Sequence, residues 1–299
     1  FPKNINNYYE IFFGGGSVLF ALLSMREKGL INIQNKIFAY DLNSDLIDVY
    51  KTIQNKNCKD ELFNCLFIFI NEYDKIKKID KKDLPNILNR KPKNKNEALK
   101  CKENYYYWIR SKYNSLIKNN SQKQKDIIEK SAMFIFLNKT GFRGMYRVGP
   151  NGFNIPYGNY KKTPKFFTKN EFNVISDLIK DVKFICCHFN ESFENIRKGD
   201  FIYLDPPYAP VNKKSFVKYT KNGFTYENHL ELFGKIKKIS QTDGVKLLMS
   251  NSKVKLVEDN FTNNGLDVDN IFNIEDVIVR RAINSKNPAA KAKEVLIWN

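Results

Sequence analysis

An open α/β sheet interrupted by a long, mostly helical insertion is the fold this sequence predicts, and three observations predict it. Short hydrophobic strands alternate with amphipathic helices at both ends of the 299 residues. Between about residue 52 and residue 163 the alternation stops, lysine and asparagine accumulate, and only helical patterns recur. The alternation then resumes and closes on two strand patterns spaced as a hairpin. Alternating strands and helices build one sheet covered by helices, whereas a block without that alternation packs by itself. The expected division is residues 1–51 with 164–299 as one domain and 52–163 as an inserted one.

The first strand, Tyr9-Glu10-Ile11-Phe12, runs into Phe13-Gly14-Gly15-Gly16-Ser17. Consecutive glycines let the backbone come close to a ligand, although the same turn also serves as a plain strand-to-helix connection. Val18, Leu19, Phe20, Leu22 and Leu23 give the next helix its apolar side. The second strand, Lys36 to Tyr40, ends in Asp41-Leu42-Asn43, one βαβ unit further on, where an acidic residue can bind ribose hydroxyls. Within the insertion, helical patterns start at Lys59-Asp60-Glu61-Leu62-Phe63 and span Asn104 to Ile117. The cluster Tyr105, Tyr106, Tyr107 and Trp108 has helical spacing and reads as the core of the insertion rather than as a stacking platform. Lys75 to Lys102 is charged, asparagine-rich and broken by Pro85 and Pro92, and reads as a solvated loop.

Phe142 to Arg147, followed by Gly149, Pro150, Asn151 and Gly152, reads as a hairpin whose tip mixes Arg143 and Arg147 with an exposed apolar side chain. Such a tip suits DNA, because arginine donates two bonds to guanine and an apolar residue wedges between base pairs. After Thr163 come a helix near Asn170 to Ile179, strands at Val182 to Cys186 and Phe201 to Leu204, a helix from Tyr226 to Ser240 and a strand from Val245 to Asn251. Asp276 to Ala282 and Ala292 to Trp298 form the closing hairpin.

Asp205-Pro206-Pro207-Tyr208 follows the strand Phe201 to Leu204, so a carboxylate and a rigid turn sit where a buried strand ends. Two prolines fix φ and remove two backbone donors, leaving the Pro206 carbonyl to accept while Tyr208 offers a flat face. A planar amine fits that arrangement. The competing reading makes Asp205 a helix N-cap with Pro206 at the first helical position.

Fifty Lys and Arg against thirty-two Asp and Glu give a net charge of +18, which attracts polyanions, although an AT-rich genome also enriches Lys, Asn and Ile. With 42% apolar residues the chain supports one large core and an inserted domain. Cys58, Cys65, Cys101, Cys186 and Cys187 form no CxxC pair, and His188 and His229 are the two histidines, so neither disulfide framework nor metal site is expected. No apolar run reaches the ~18 to 20 residues that span a bilayer. The expectation is a soluble, cytoplasmic protein of a reducing compartment, monomeric or weakly dimeric, without a membrane partner.

The glycine turn FFGGGS, the acidic DLNSDL and DPPY resemble the Dam-like, D12-class family of DNA adenine-N6 methyltransferases. YYYWIRSKYN (105–114), FLNKTGFRGMYRVGPNGFNIPYGNYKK (136–162) and RRAINSK (280–286) are similar to it in matching order and spacing. The resemblance implies a class I S-adenosylmethionine-dependent methyltransferase fold, Rossmann-like, with the insertion as target-recognition domain. It implies S-adenosylmethionine as cofactor and double-stranded DNA as partner. Asp41 is then expected to hold the ribose, Phe12, Gly14 and Gly16 the methionine side, and Phe189, placed at the end of the strand before DPPY, the cofactor's adenine. Asp205, Pro206 and Tyr208 become the catalytic set, Asp205 also lining the cofactor pocket. A paired amine cannot reach the cofactor, so the base must be extruded, with Phe216, Tyr219 and Phe224 as aromatic candidates to receive it. Phe224 equally reads as a cap on the following helix. Arg147 falls on the guanine-reading arginine, Met145 on the intercalating position, and Pro156 and Tyr160 on further DNA-facing positions. Gly149 departs from the Asn more usual there. The family also carries a Trp-Ala-Gly-Gly-Lys segment upstream of the first strand; this sequence opens at Phe1 without it, and both a truncated piece and an absent segment stay open. Methylation of cytosine N4 or of an RNA amine, and a DNA-binding homologue without catalysis, stay open as alternatives.

Overall fold

Tyr8–Ile11 is buried at every residue, as a strand must be when it has neighbours on both edges and helices on both faces. In a computed structural model, the described residues are all except 78, 80, 81, 161, 163, 211–222, 263–271 and 281–290. In chain order the main elements are β1 (Tyr8–Ile11), α1 (Ser17–Glu27), β2 (Ile37–Asp41), α2 (Ser44–Gln54), α3 (Lys59–Lys75), α4 (Lys102–Asn119), α5 (Gln124–Thr140) and α6 (Lys169–Leu178). There follow β3 (Val182–Cys186), β4 (Phe201–Leu204), α7 (Tyr226–Ser240), β5 (Lys246–Ser252), α8 (Lys255–Phe261), β6 (Asn273–Arg280) and β7 (Lys291–Trp298). They fall into two compact units, Phe1–Ser44 with Asp181–Asn299, and Asp45–Lys180.

The first unit is a seven-stranded sheet in the order β3-β2-β1-β4-β5-β7-β6. β1 pairs in parallel with β2 and β4, β2 with β3, and β4 with β5, while β7 runs antiparallel to both β5 and β6. The order reverses at β1: the chain first builds outward through β2 and β3, then crosses to β4 on the other side. Such a reversal opens a crevice beyond the strand ends, where ligands of open α/β sheets bind. Ile11 stands opposite Leu204, so Phe12 and Asp205 leave the sheet as neighbours.

Tyr9, Ile11, Ile202, Leu204, Leu247 and Met249 pack with Leu232, Phe233 and Ile236 of α7 and with Val257 and Phe261 of α8. Alternation along a strand therefore sends Tyr8, Glu10 and Tyr203 to the opposite face. α7 starts with a capping box, in which Thr225 Oγ1 accepts from Asn228 N and Asn228 Oδ1 accepts from Thr225 N at 2.9 Å. Phe224, one residue before the cap, packs edge-on against His229 with centroids 4.7 Å apart, a hydrophobic staple that sets the entry angle of the chain.

In the second unit, α3, α4 and α5 bury Leu62, Leu66, Tyr73, Tyr105, Tyr106, Ile109, Met133 and Phe136. The tyrosine cluster is core, and its hydroxyls are satisfied: Tyr105 donates to Glu72 at 2.8 Å, Tyr106 to the Ile155 carbonyl at 2.8 Å. α2 and α6 belong to this unit, tied by Gln54 Nε2 to the Ile179 carbonyl and by Ser176 Oγ to the Ile53 carbonyl.

Two expectations are corrected here. The stretch 75–102 is not simply a solvated loop, since one-turn helices form at Leu84–Ile87 and Lys95–Ala98. They are organised by the buried Asn104, whose Oδ1 accepts from Asn89 N at 2.7 Å and whose Nδ2 donates to the Ile87 and Glu97 carbonyls. Pro85 lies in a first helical turn, where its missing N–H breaks no bond. The arginines also do not sit at a hairpin tip. Val148–Gly149 pairs with Gly152–Phe153, so Pro150 and Asn151 form the turn and Arg143 and Arg147 precede it. Met145 is half-buried beside Tyr113, Phe134, Leu137 and Phe153 rather than exposed, because an apolar hollow is available to it.

Candidate active site

Asp205 leaves β4 with its side chain open to solvent, and Oδ1 accepts a hydrogen bond from Ser250 Oγ of β5 at 2.8 Å. Residues 205–210 are non-helical, so the N-cap reading of Asp205 is overturned. The turn is held instead by side chains. His229 Nε2 lies 3.0 Å from the Pro207 carbonyl, Ala209 N donates to Asn251 Oδ1 at 3.0 Å, and Ser252 Oγ donates to the Ala209 carbonyl. Tyr208 donates its hydroxyl to Glu294 of β7 at 3.1 Å. The Pro206 carbonyl accepts no hydrogen bond from any described residue, although the Pro207 and Ala209 carbonyls are both engaged.

Protein on the inner side of Asp205 pushes its carboxyl above the ordinary carboxylate range, against the lowering effect of the Ser250 hydroxyl. On the same face, Glu10 is only 2% exposed and accepts from the Tyr8 hydroxyl at 2.6 Å. Burial drives its pKa up to about 8, opposed by the Tyr8 bond and reinforced by the charge of Asp205. Burial thus favours the neutral form of Glu10 far more than water does.

Beside Asp205, Phe12 turns out of β1 with φ 68, a left-handed conformation that a bulky residue adopts only when its surroundings impose it. Gly16 follows at φ 72, and a Cβ there would lie 2.5 Å from the Phe13 ring, so only glycine fits. Asp41 joins the two motifs directly: Oδ2 accepts from Gly14 N at 2.9 Å and Oδ1 from Asn43 N at 2.8 Å. Burial raises its pKa, and these backbone donors offset part of the rise. Leu42 N also bears on the carboxylate, so three of its four acceptor positions are engaged and one is left for a further donor. β3 ends at Cys186, so Phe189 lies three residues beyond the strand rather than at its end. Its buried ring meets Phe12 at 5.7 Å and Phe224 at 5.6 Å. Phe224 thus both staples α7 and completes this aromatic group.

Within the second unit, Arg147 is exposed and its Nε donates to Asn154 Oδ1 at 2.7 Å. Asn154 can lie there because position 149 is glycine: a Cβ on Gly149 would come within 2.4 Å of Asn154 Nδ2. Phe142 N donates to the Pro156 carbonyl at 2.9 Å and the exposed Tyr160 donates to the Gly141 carbonyl at 2.8 Å, which brings Pro156 and Tyr160 beside the segment carrying Arg143. The Arg143 guanidinium lies over the Phe142 ring at 5.3 Å. Phe216, Tyr219, Lys161 and residues 281–286 lie outside the described residues.

The profile of the D12 class N6 adenine-specific DNA methyltransferases matches residues 1–283. The chain belongs to this family. It is 34% identical over 305 residues to the type II methyltransferase M.MjaIII of Methanocaldococcus jannaschii, covering 99% of this chain and 89% of that protein. It is 28% identical over 295 residues to the DNA adenine methylase of Haemophilus influenzae, covering 98% and 84% respectively. Membership brings the class I S-adenosylmethionine-dependent fold, which the mostly parallel sheet displays, and makes the chain an adenine-N6 DNA methyltransferase. The cytosine-N4, RNA and non-catalytic alternatives are thereby set aside. Among the described residues no helix is long and apolar enough to cross a membrane, and no His, Cys, Asp and Glu group is arranged to hold a metal ion.

For a D12 methyltransferase, sequence inspection overlooked four residues around the DPPY turn: Glu10, His229, Ser250 and Asn251. A lone acid in the otherwise apolar Tyr8–Ile11 marked Glu10 as a buried ionisable group. Ser250 and Asn251, polar residues at the end of the apolar Leu247 to Met249, repeat the logic that drew attention to Asp205. His229 carried no such signal, because its contact with Pro207 spans 22 residues and depends on how α7 is aimed.

Proposed function

We propose that Asp205 and the Pro206 carbonyl each accept one N6 hydrogen of an extruded adenine in double-stranded DNA, with Tyr208 stacked on the base. The adenine amine is a poor nucleophile because its lone pair is delocalised into the ring. Two acceptors on its hydrogens pull the nitrogen toward tetrahedral geometry and localise that lone pair, so positioning and electrostatics do the work. The observation that carries this reading is the Pro206 carbonyl beside Asp205, which no described residue engages, in a turn whose next carbonyl at Pro207 is already taken.

The residues around Phe12 suit S-adenosylmethionine. When bound, it supplies a methyl group activated by a positively charged sulfonium. Asp41 offers remaining acceptor capacity to ribose hydroxyls. Gly14 and Gly16 offer close backbone approach for the methionine side, and Phe12 and Phe189 an aromatic wall. Asp205 adds negative charge favourable to a cation. For recognition, the terminal nitrogens of Arg147 read guanine while Asn154 steadies Nε, with Arg143, Met145, Pro156 and Tyr160 along the same contact. Residues 52–163 act as the target-recognition domain, and Phe224 helps receive the extruded base. The test is methyl transfer from radiolabelled cofactor to unmethylated duplex DNA, followed by digestion to nucleosides. N6-methyladenine in a short sequence context is expected, and label in any other nucleoside overturns the reading.

A further inference from the structure

We propose that Ser250 is a positioning residue of methyl transfer, whose hydroxyl fixes the Asp205 carboxylate in the orientation that receives the amine. This rests on Asp205 being an amine acceptor. Ser250 is 7% exposed on β5, and Leu204 stands opposite Met249, so residues 205 and 250 follow as neighbours. A serine carries one O–H and an ionised carboxylate none, so the 2.8 Å contact has a fixed direction, from Ser250 to Oδ1. The same Oγ lies 3.4 Å from the Tyr203 hydroxyl, where it can only accept, since its own proton is committed. The result is a one-way chain from Tyr203 through Ser250 to Asp205.

Without such a tether a solvent-facing carboxylate turns broadly about its last torsion. A bond to Oδ1 selects one orientation, and transfer depends on that alignment. The groups that face Asp205 are Glu10 from β1, Tyr203 from β4, Ser250 from β5, Tyr208 in its own turn and, through Tyr208, Glu294 from β7. Burial pushes Asp205 toward its neutral form, in which one oxygen carries a proton and the hydrogen bonds it accepts lose their charge assistance, and Ser250 opposes that push.

The test measures kcat and KM of the full chain from pH 5 to 9 for the parent, Ser250→Ala, Ser250→Thr, Ser250→Val, Asp205→Asn and Glu10→Gln. Ser250→Ala is expected to lower kcat about ten- to a hundredfold, the usual effect of a hydrogen bond to a charged group, with KM for cofactor and DNA unchanged. The acid limb of its kcat profile should move to higher pH, because the carboxylate loses a donor. Thr and Val have the same shape, so Ser250→Thr should recover rate and profile while Ser250→Val should not, which also covers an Ala variant that folds poorly. Glu10→Gln should leave the acid limb in place, since Glu10 is already neutral there. A Ser250→Ala or Ser250→Val enzyme with parental kcat and acid limb overturns the proposal, as does equal loss in Ser250→Thr and Ser250→Val. Parental turnover by Asp205→Asn overturns the reading of Asp205 itself. An inactive Asp205→Asn beside a parental Ser250→Ala removes only the role of Ser250.

Discussion

Replacing Glu10 by Gln preserves its shape and the Tyr8 contact and removes only its ability to ionise. Folding raises the Glu10 pKa from an ordinary 4.5 to about 8, chiefly by burial. Between those values the folded chain holds a proton that the unfolded chain has lost. The stabilisation from this group is therefore complete below about pH 4.5 and disappears as pH rises to about 8. From pH 5 to 8, at about 1.4 kcal/mol per pH unit, the loss amounts to about 4 kcal/mol. Relaxation around the ionised carboxylate brings the expected figure to about 2 to 4 kcal/mol. Glu10→Gln has no such dependence, so its stability relative to the parent should grow by that amount between pH 5 and 9. Urea unfolding at pH 5, 7 and 9, followed by circular dichroism and by tryptophan fluorescence, measures the difference, and coincidence of the two probes checks that one transition is being read. Parallel pH profiles for parent and variant would refute the argument, because the buried group would then not be the one that titrates.

Asp205→Ala should abolish methyl transfer while leaving fold and DNA affinity intact; turnover above roughly one tenth of the parent, a loss of only about 1.4 kcal/mol in barrier, sinks the assignment. Asp41→Ala should weaken cofactor binding by at least ~1 kcal/mol through lost charge-assisted bonds, and unchanged affinity by calorimetry removes it from the pocket. Arg147→Ala should cost ~1 to 3 kcal/mol on the preferred site and relax one base position, whereas the exposed Lys162, which follows the Val148–Phe153 hairpin and which we propose contacts the DNA backbone, should on replacement by Ala weaken all sequences alike and reduce the salt slope by about one. Sequencing methylated products from a random-site library separates the two, and an unaltered motif after Arg147→Ala moves recognition elsewhere in the insertion.

The parts of the fold set by local pattern were legible in the sequence. β3 and α7 fall on their expected residues, and β5 and the β6–β7 hairpin within a few. α5 was not, because Ala132 to Leu137 is apolar without interruption and a helix buried all round shows no polar face to reveal its period. At the site, Asp41, Asp205 and the glycine turn announced themselves by standing at strand ends. Ser250, Asn251 and His229 did not, because what matters about them is strand register and helix aim, which no short window of residues contains. The arginine segment was misplaced by a few residues for a similar reason. The turn chemistry of Pro150 to Gly152 was visible, but the hollow that takes Met145 is built by α4 and α5.

The central pairing of the sheet joins β1 to β4, about 193 residues downstream. At about 5 to 20 residues per second, a ribosome takes about 10 to 40 s to make that stretch. For that interval β1 can pair with β2 on one side only, and its other edge offers unpaired backbone to any strand it meets. Synthesis of Asp45–Lys180 fills the wait, and as a compact unit that segment can fold before the strand that completes the catalytic crevice exists. Even then β7, translated after β6, has still to enter between β5 and β6. The nascent enzyme is thus exposed to strand mispairing late in its manufacture, on both flanks of the strand that carries Asp205.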